Sequence, residues 1–543
     1  MHQGEKSRLA SNIAWGYYAI AFAIALLALV PRFGFDRLDP GAYLWAEDGT
    51  VFLNEAREMG AAAIFKPYAG YLHFYPRIYT LFAQLFSFVE QPVVLMFGWL
   101  ISYLLMMYAV ARVAAKTDRS RLVLAMLVGL TSLQPHYVEV FFNITNSQWM
   151  IGGALAIFAL ADIEIPNLQK KIRGVLLVPM ALTGPFSITL SPALVLRLLL
   201  KKDWAAQKFT YIPIFSGAII QACVLLTSTR VAGPTNADPE LWFFAFSKLV
   251  LFGANDFLVL LLAVSIWFIL GFLIRKLSRD LSFAELLTHP AVLMLFTAAI
   301  MFLAAIYAKK YDPTDVVALG GGNRYTWVPY TLVLLAGFLL TYGRKLLRVV
   351  MTLLAVILCI AEFHKFSTHD LQFEAFEKLS QVEQVYIPLN PLWNSFPAWH
   401  ILAGPRDAKV PPVNTVELNL KEFAVARASA SYRGKNLELA YKGTAEMTFS
   451  RKVSCPDSKF AGLDVYMTRD KPAWTRLFWD ENGQFTNEVS LPRWYPAGKV
   501  KAQYAFAIPP DGVNLRITPL RIEVDDAHFE GHITIEKIEL HCL

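Results

Sequence analysis

The sequence predicts a polytopic α-helical membrane protein of about eleven spans followed by a C-terminal β-sandwich outside the cytoplasm. Three observations predict it. Only 17% of the 543 residues are charged and 55% are apolar, against roughly 25% charged in soluble domains, and mean hydropathy is +0.41. Up to about Phe363 the chain is a succession of apolar runs, and from about Lys365 it has the composition of an ordinary soluble domain. Past that point the hydrophobic period shortens towards two. A single soluble domain and a disordered chain are both excluded.

A span needs about 20 mostly apolar residues. The runs fall near 13–31, 92–115, 121–135, 147–162, 174–184, 186–200, 209–228, 256–274, 290–308, 326–342 and 348–363. The first, Ile13 to Val30, is too long for a signal-peptide core and has no small-residue cleavage site, so it reads as a span. The pair Gly174–Gly184 and Phe186–Leu200 is short and broken at Gly184-Pro185. It reads as a hairpin or as two short tilted spans, with both ends on one side.

Orientation follows from the basic clusters. Lys6 and Arg8, Lys116 to Arg121, Lys170 to Arg173, Lys201 and Lys202, Arg275 to Arg279 and Arg344 to Arg348 all fall on one side if the N-terminus is cytoplasmic. The segments 32–91, 135–147, 229–255, 309–325 and everything after Phe363 then lie outside, with Lys309 and Lys310 as the exception to the charge rule. The net charge of +7 therefore reports topology and not a nucleic-acid partner. Pro76 to Val89 reads as an amphipathic surface helix. No run carries an ionisable residue near its centre, which disfavours an ion-coupled transporter and leaves a lipid flippase open.

The division expected is a membrane domain over 1–363, a connecting segment over 364–430 and an extracytoplasmic sandwich of jelly-roll type over 431–543. Short strands are expected at Leu437–Tyr441, Glu446–Phe449, Gly462–Met467, Val500–Ile508, Leu520–Val524 and His532–Leu540. Turn signals such as Asn482-Gly483 and Pro510 to Gly512 punctuate them. Cys455 and Cys542 can pair if this part is outside the cytoplasm, whereas Cys223 and Cys359 sit in apolar runs. No cysteine or histidine spacing suggests a metal, and no cofactor is expected. Trp474, Trp479 and Trp494 are candidates for stacking on a glycan or, more simply, for core packing.

The polar residues of unusual type gather in the outer segments. Glu47 and Asp48 are adjacent carboxylates after the first span. One of them can accept a proton from an acceptor hydroxyl; the simpler reading is a helix start, with Asp48 capping Val51–Ala56. The stretch from Lys66 to Arg77 holds Tyr68, His73 and Arg77 among aromatics, suited to sugar rings and phosphate oxygens, or simply an interfacial belt. Asn143, Asn146, Gln148 and Trp149 precede a span and suit a polar ligand, or a helix cap at Asn146 or Ser147. Lys309, Lys310 and the run from Gly320 through Gly322 to Asn323, Arg324 and Tyr325 close the set. Arg324 can bind a phosphate bidentately, or snorkel from a flexible loop. The glycine run is not a P-loop, because the Lys-Ser/Thr pair is missing.

In this order, Ala46-Glu47-Asp48-Gly49, Pro67 to Arg77, Asn143 to Trp149, Gly184-Pro185-Phe186 and Asn323-Arg324-Tyr325 resemble the GT-C superfamily of integral-membrane glycosyltransferases. Within it, they are similar to bacterial enzymes that modify O-antigen or other surface polysaccharides. The resemblance covers about Leu38 to Tyr330. It implies a GT-C-like fold in the bacterial inner membrane, with a periplasmic C-terminal domain. It implies a polyprenyl-phosphate sugar donor, a lipid-linked or surface glycan acceptor, and inverting transfer without a metal. Asp48, with Glu47 as alternative or partner, matches the general base. Arg324 matches the donor-phosphate residue, helped by Lys309, Lys310 or Arg77. Tyr68, His73, Asn143, Asn146, Gln148, Trp149, Asn323 and Tyr325 would contact substrate. The adjacent acidic pair departs from relatives that separate their acids. The competing readings are a lipid-linked sugar flippase or exporter, and a polysaccharide polymerase or ligase.

Overall fold

The structure is a computed structural model that describes residues 2–33, 44–117, 120–135, 139–161, 167–228, 238–254, 256–310, 312–316, 322–363, 371–391, 399–404, 414–480, 485, 490–520 and 530–543. Its helices are α1 (His2–Leu27), α2 (Val30–Phe33), α3 (Asn54–Met59), α4 (Phe74–Ala83), α5 (Gln91–Thr117), α6 (Arg121–Leu133), α7 (Ser147–Leu160), α8 (Asn167–Ala181), α9 (Phe186–Lys201), α10 (Trp204–Leu226), α11 (Pro239–Val250), α12 (Phe257–Asp280), α13 (Phe283–Leu287), α14 (Pro290–Ala308), α15 (Trp327–Leu340), α16 (Lys345–Ala361) and α17 (Phe373–Ser380). The chain forms two compact units. One comprises Met1–Leu38, Met59–Phe82 and Leu95–Ser367, and the other comprises Asp39–Glu58, Ala83–Val94 and Thr368–Leu543.

In the helical unit every apolar run read from the sequence carries a helix. Only four of the described helices, α5, α10, α12 and α14, are long and apolar enough to cross a membrane. Of the about eleven spans expected, these four have the length of a full crossing. α6 has 13 residues, α7 and α15 have 14 each, α8 has 15 and α9 has 16. At 1.5 Å per residue, a 14-residue helix covers about 21 Å of the roughly 30 Å hydrocarbon layer. The breaks have local causes. Pro135 follows the end of α6, and Gly184 turns the chain at φ +75° between α8 and α9. A 3₁₀ turn over Asn323–Thr326 occupies what would be the first turn of α15. α14 packs along α15, and α8 along α10. The faces left over are apolar: Phe257 and Phe268 of α12 are 79% and 76% exposed.

The C-terminal unit is antiparallel. Its strands are β1 (Val385–Pro388), β2 (His400–Ala403), β3 (Asn414–Glu417), β4 (Phe423–Arg433), β5 (Asn436–Phe449), β6 (Phe460–Arg469), β7 (Ala473–Asp480), β8 (Ser490–Tyr495), β9 (Gly498–Ala507), β10 (Asn514–Leu520) and β11 (Glu530–Cys542). β1 and β2 form a ribbon, and the others join in the order β8-β7-β10-β5-β11-β6-β9, with β4 on β5 and β3 on β11. β5 is the hinge of this arrangement. Its end at Met447 and Thr448 pairs with β10, and its start at Leu437 to Lys442 pairs with β11. Two wings diverge from it and face each other. Trp479 of β7 stacks on Phe506 of β9 at 5.2 Å, and the Tyr504 hydroxyl donates to the Thr475 carbonyl at 3.0 Å. Contact between strands so far apart in the pairing order makes a two-layered core.

Several expectations shift here. Leu437–Tyr441 and Glu446–Phe449 are one strand, β5. Of Leu520–Val524 only Leu520 is described, at the end of β10, and the Asn482-Gly483 turn lies outside the described residues. The stretch expected to be a connecting segment forms α17, β1, β2, β3 and most of β4. The Glu47-Asp48 segment belongs to this unit. Trp45 bridges to Asn390 in parallel, the Ala46 amide donates to the Asn390 carbonyl at 2.6 Å, and Thr50 Oγ1 both donates to and accepts from the His400 backbone. Trp474 and Trp479 are buried core residues, while Trp494 is half-buried.

Cys455 and Cys542 are joined in a disulfide, with Cα atoms 5.4 Å apart and a sequence separation of 87. A loop of that length is constrained by about 4–5 kcal/mol in the unfolded chain. The double variant Cys455→Ser/Cys542→Ser should therefore unfold the C-terminal unit at markedly lower denaturant. Hydrogen exchange of β6 and β11 peptides in the full chain reads the loss, and unchanged protection there would contradict the assignment.

A buried charge cluster lies beneath the same strand. His541 Nε2 meets Asp464 Oδ2 at 3.0 Å, and Lys501 Nζ meets the same oxygen at 2.7 Å and pairs with Glu383. Burial pulls the His541 pKa down, but the hydrogen bond and charge of Asp464, with Glu383, outweigh it and hold it above the ordinary 6.5. A pKa raised by folding gives stability that is complete below 6.5 and lost as pH rises through the folded value. Glu383, raised by burial and by Asp464, has the same sign. The sheet should exchange faster at pH 8 than at pH 6 after correction for intrinsic rates, and His541→Gln should flatten the difference.

Candidate functional site

The site in the helical unit starts from a strand-like stretch, Tyr71 to His73, just before α4. The turn before it is closed by reciprocal Tyr68 and Tyr71 backbone bonds at 3.0 and 3.2 Å, with Ala69 and Gly70 at positive φ. Gln221 of α10 then clamps Leu72, its Oε1 accepting from the amide at 2.8 Å and its Nε2 donating to the carbonyl at 3.1 Å. The Gly184 amide also donates to the Leu72 carbonyl at 2.9 Å, and the Tyr75 amide donates to Thr183 Oγ1 at 3.0 Å. The Gly184-Pro185 break is thus a turn, and it holds the Leu72–Tyr75 stretch against the α8–α9 hairpin. His73 is buried and stacks on Tyr71 with ring centroids 4.7 Å apart, with Tyr68 5.6 Å away.

A second layer is built on Glu139. Its backbone carbonyl accepts from Asn143 Nδ2 at 2.8 Å and from Asn146 Nδ2 at 2.7 Å, and its amide donates to Asn323 Oδ1 at 3.3 Å. Its carboxylate forms an ion pair with Arg324. Asn143 Oδ1 accepts from the Asn146 amide at 2.8 Å, and Asn146 Oδ1 accepts from the Trp149 indole at 3.2 Å. Asn146 stands at the N-cap position of α7, but its side chain caps no helix amide; it is spent on the Glu139 carbonyl and the Trp149 indole.

These layers meet at a cavity of about 160 Å³ whose wall includes Tyr71, Trp149, Phe186, Thr189, Tyr307 and Tyr325. Trp149 meets Tyr325 edge-on at 5.2 Å and Phe186 at 5.1 Å. Each of two cations rests on an aromatic of this wall. The Arg324 guanidinium is 5.1 Å from the Tyr325 ring centre, and the Lys310 ammonium is 5.7 Å from that of Tyr307. An apolar wall edged by cations suits a ligand that combines an apolar or ring-faced part with a phosphate.

The sequence-derived residues divide as follows. Trp149 and Tyr325 line the cavity, and Asn143, Asn146, Asn323, Arg324 and Lys310 stand around it through the contacts above. Gln148 is buried beside Gly184, where an added Cβ would lie 2.8 Å from its Oε1. His73 and Tyr68 support Tyr71. Lys309 is half-buried at the end of α14. Arg77 is fully buried in α4 and is not part of the cavity wall. Tyr311, Gly320 and Gly321 lie outside the described residues. Glu47 and Asp48 belong to the other compact unit. There Asp48 is 1% exposed and accepts from the Trp45 amide at 3.4 Å, inside the turn that starts the helical stretch Asp48–Leu53 and not as its cap. Glu47 is half-buried.

Sequence reasoning missed Glu139 and Gln221. Glu139 carried a usable signal, being a lone carboxylate four and seven residues before Asn143 and Asn146. Gln221 is a lone amide inside an apolar run. Among the described residues, Glu383, Asp464 and His541 offer ligand atoms within 4.8 Å of one another. Lys501 already places its ammonium against both carboxylates, so this arrangement is that of an ion-pair cluster.

No protein-family model and no curated protein matches the chain. Among solved structures it is similar to the C-terminal CBM6 of LamC, a laminarinase of Zobellia galactanivorans, at 9% identity over 24% of this chain and 99% of that one, with a TM-score of 0.18. It is also similar to the family 29 carbohydrate-binding module CBM29-1 of Piromyces equi, at 10% identity over 24% and 86% with a TM-score of 0.17. A third is the xylan-binding module CBM86 of Roseburia intestinalis, at 9% identity over 24% and 95% with a TM-score of 0.17. At these scores the likenesses carry no argument.

Gly184 gives a direct test of the cavity's construction. Alanine there meets both the positive φ and the Gln148 side chain, which costs about 1–2 kcal/mol. Gly184→Ala should lower the melting temperature of the detergent-purified protein by several degrees. An unchanged melting temperature would show that this turn does not hold the site.

Proposed function

We propose that the chain is a membrane-embedded inverting glycosyltransferase. It moves a sugar from a polyprenyl-phosphate donor to a lipid-linked or surface glycan at the outer face of the bacterial inner membrane. One observation carries the reading: Tyr71, Trp149, Phe186, Tyr307 and Tyr325, from five separate stretches of sequence, line one cavity with Lys310 and Arg324 on its aromatic wall. Four of these stretches, those of Tyr71, Trp149, Phe186 and Tyr325, are among the ones that resemble the GT-C superfamily. In this reading the shorter apolar helices join the four long ones to complete about eleven crossings, tilted or locally thinning the bilayer. The sandwich, of jelly-roll type, holds the acceptor glycan.

The reaction needs three things. The bond between the anomeric carbon and the donor phosphate oxygen breaks, the acceptor hydroxyl oxygen bonds to that carbon from the opposite face, and the hydroxyl proton passes to a carboxylate. Negative charge grows on the departing polyprenyl phosphate, and Arg324 and Lys310 stabilise it. Glu139 keeps the Arg324 guanidinium in place until phosphate arrives. Asp48 is the base that the family resemblance assigns. Glu47 is its more accessible neighbour, and Glu139 is the carboxylate nearest the cations.

The test is transfer from polyprenyl-phosphate sugars by the full chain in nanodiscs. Arg324→Gln should lower turnover by about 10²–10³-fold, and Asp48→Asn by about 10²–10⁴-fold, with membrane insertion intact. Full activity in Asp48→Asn with loss in Glu139→Gln would move the base to Glu139. Absence of product, with labelled lipid-linked sugar crossing the bilayer, would replace the transferase reading by a flippase.

A further inference from the structure

A second cavity in the helical unit lies apart from the first. It holds about 450 Å³, runs between α5, α7 and α8, and is lined by Leu105, Ile151, Phe158 and Leu177 among others. That volume is within the usual range of ligand sites, about 300–1,000 Å³. Its two ends differ. Tyr75 and Met180 mark one end, while Arg112, Arg173, Tyr108 and Gln169 mark the other. Arg112 Nη1 donates to the Tyr108 hydroxyl at 3.3 Å and Arg173 Nη2 donates to Thr210 Oγ1 at 2.8 Å, so hydroxyl groups hold both guanidiniums. The side wall is open. Ile172 and Leu176 line the groove and are also 53% and 59% exposed.

The groove is distinct from the candidate active site. The two share no lining residue: on α7 Trp149 lines the first cavity, while Ile151 and Phe158 line the groove, Phe158 lying about 14 Å along the axis from Trp149. The arginine end lies beside Lys170 and Lys171, in a cluster that the charge pattern puts on the cytoplasmic side. A laterally open apolar trough with two guanidiniums at one end complements a chain with an anionic head, and basic pockets of this kind on the cytoplasmic side take phosphate-bearing lipids.

We propose that this groove binds one chain of an anionic phospholipid of the cytoplasmic leaflet, with its phosphate between Arg112 and Arg173. The second chain stays in the bilayer beside Ile172 and Leu176. The inference rests on the membrane reading of the helical unit but not on any reaction.

The experiment is native mass spectrometry of the detergent-purified full chain with added phosphatidylglycerol, phosphatidylcholine, polyprenyl phosphate or inorganic phosphate. Phosphatidylglycerol should be retained about 10- to 30-fold more tightly than phosphatidylcholine, two arginine contacts supplying the difference. Arg112→Gln/Arg173→Gln should remove the preference, Arg112→Lys/Arg173→Lys should keep most of it, and Leu177→Trp should weaken both phospholipids by filling the trough. Equal retention of the two phospholipids, or an undiminished preference in the glutamine variant, would overturn the proposal. So would stronger binding of polyprenyl phosphate or of inorganic phosphate alone. A chain recovered soluble without detergent would instead overturn the membrane reading itself.

Discussion

The helical unit depends on how the backbone of one residue is satisfied. Leu72 lies in a non-helical stretch inside an apolar unit, where an unpaired amide or carbonyl costs several kcal/mol. Gln221 covers both of its polar atoms, and the Gly184 amide adds to the carbonyl. The arrangement fixes three things together: the path of the chain through Leu72, the tip of the α8–α9 hairpin and the rotation of α10. Tyr71 and Phe186 reach the same cavity because the backbone is tied at Leu72 and Gly184, one and two residues away from them.

The short helices and the site are consequences of the same local choices. A helix that ran on through Gln134 and Pro135, or through Asn323 to Thr326, would cross a bilayer more completely. It would also remove the non-helical backbone that Glu139 and Asn323 use to meet. Irregular backbone within an apolar helical unit is tolerated where it is buried in protein or lines a cavity, and here it does both. Starting α7 only after Asn146 frees the asparagine side chain to accept from Trp149, which turns the indole towards Tyr325.

What was legible in the sequence was what is encoded locally. Eleven apolar runs gave eleven helices, because hydropathy over some fifteen residues is a sum that no distant contact reverses. The wall residues Trp149 and Tyr325 were legible as aromatics beside polar residues at helix starts. The rest depended on partners far along the chain. Gln221 acquires its role from Leu72, 149 residues away, and the Glu47-Asp48 stretch packs beside His400 through Thr50, 350 residues away. β4 escaped for a different reason: after Phe423 its residues are mostly exposed, so it lacks the alternation that marks a half-buried strand. β5 was read as two strands because its register with β4 shifts between Ala426 and Ala428, which interrupts the pattern within one continuous strand.

The sandwich solves a related problem with charge instead of amides. Asp464 is buried in β6, in the middle of a sheet, where an isolated carboxylate would be neutralised or expelled. Two partners from neighbouring strands meet it: His541 from β11 at 3.0 Å and Lys501 from β9 at 2.7 Å. Lys501 then reaches Glu383, whose other oxygen accepts from Gln503 at 2.9 Å, and His541 Nδ1 lies 2.9 Å from the Thr415 hydroxyl of β3. Asp464, His541 and Lys501 come from three different strands, so the cluster specifies their order and register more than it adds net stability. A one-residue slip of β9 would turn Lys501 to the other face and leave Asp464 and Glu383 as like charges under the sheet. The disulfide from Cys542, the residue next to His541, holds the end of β11 where that register requires it.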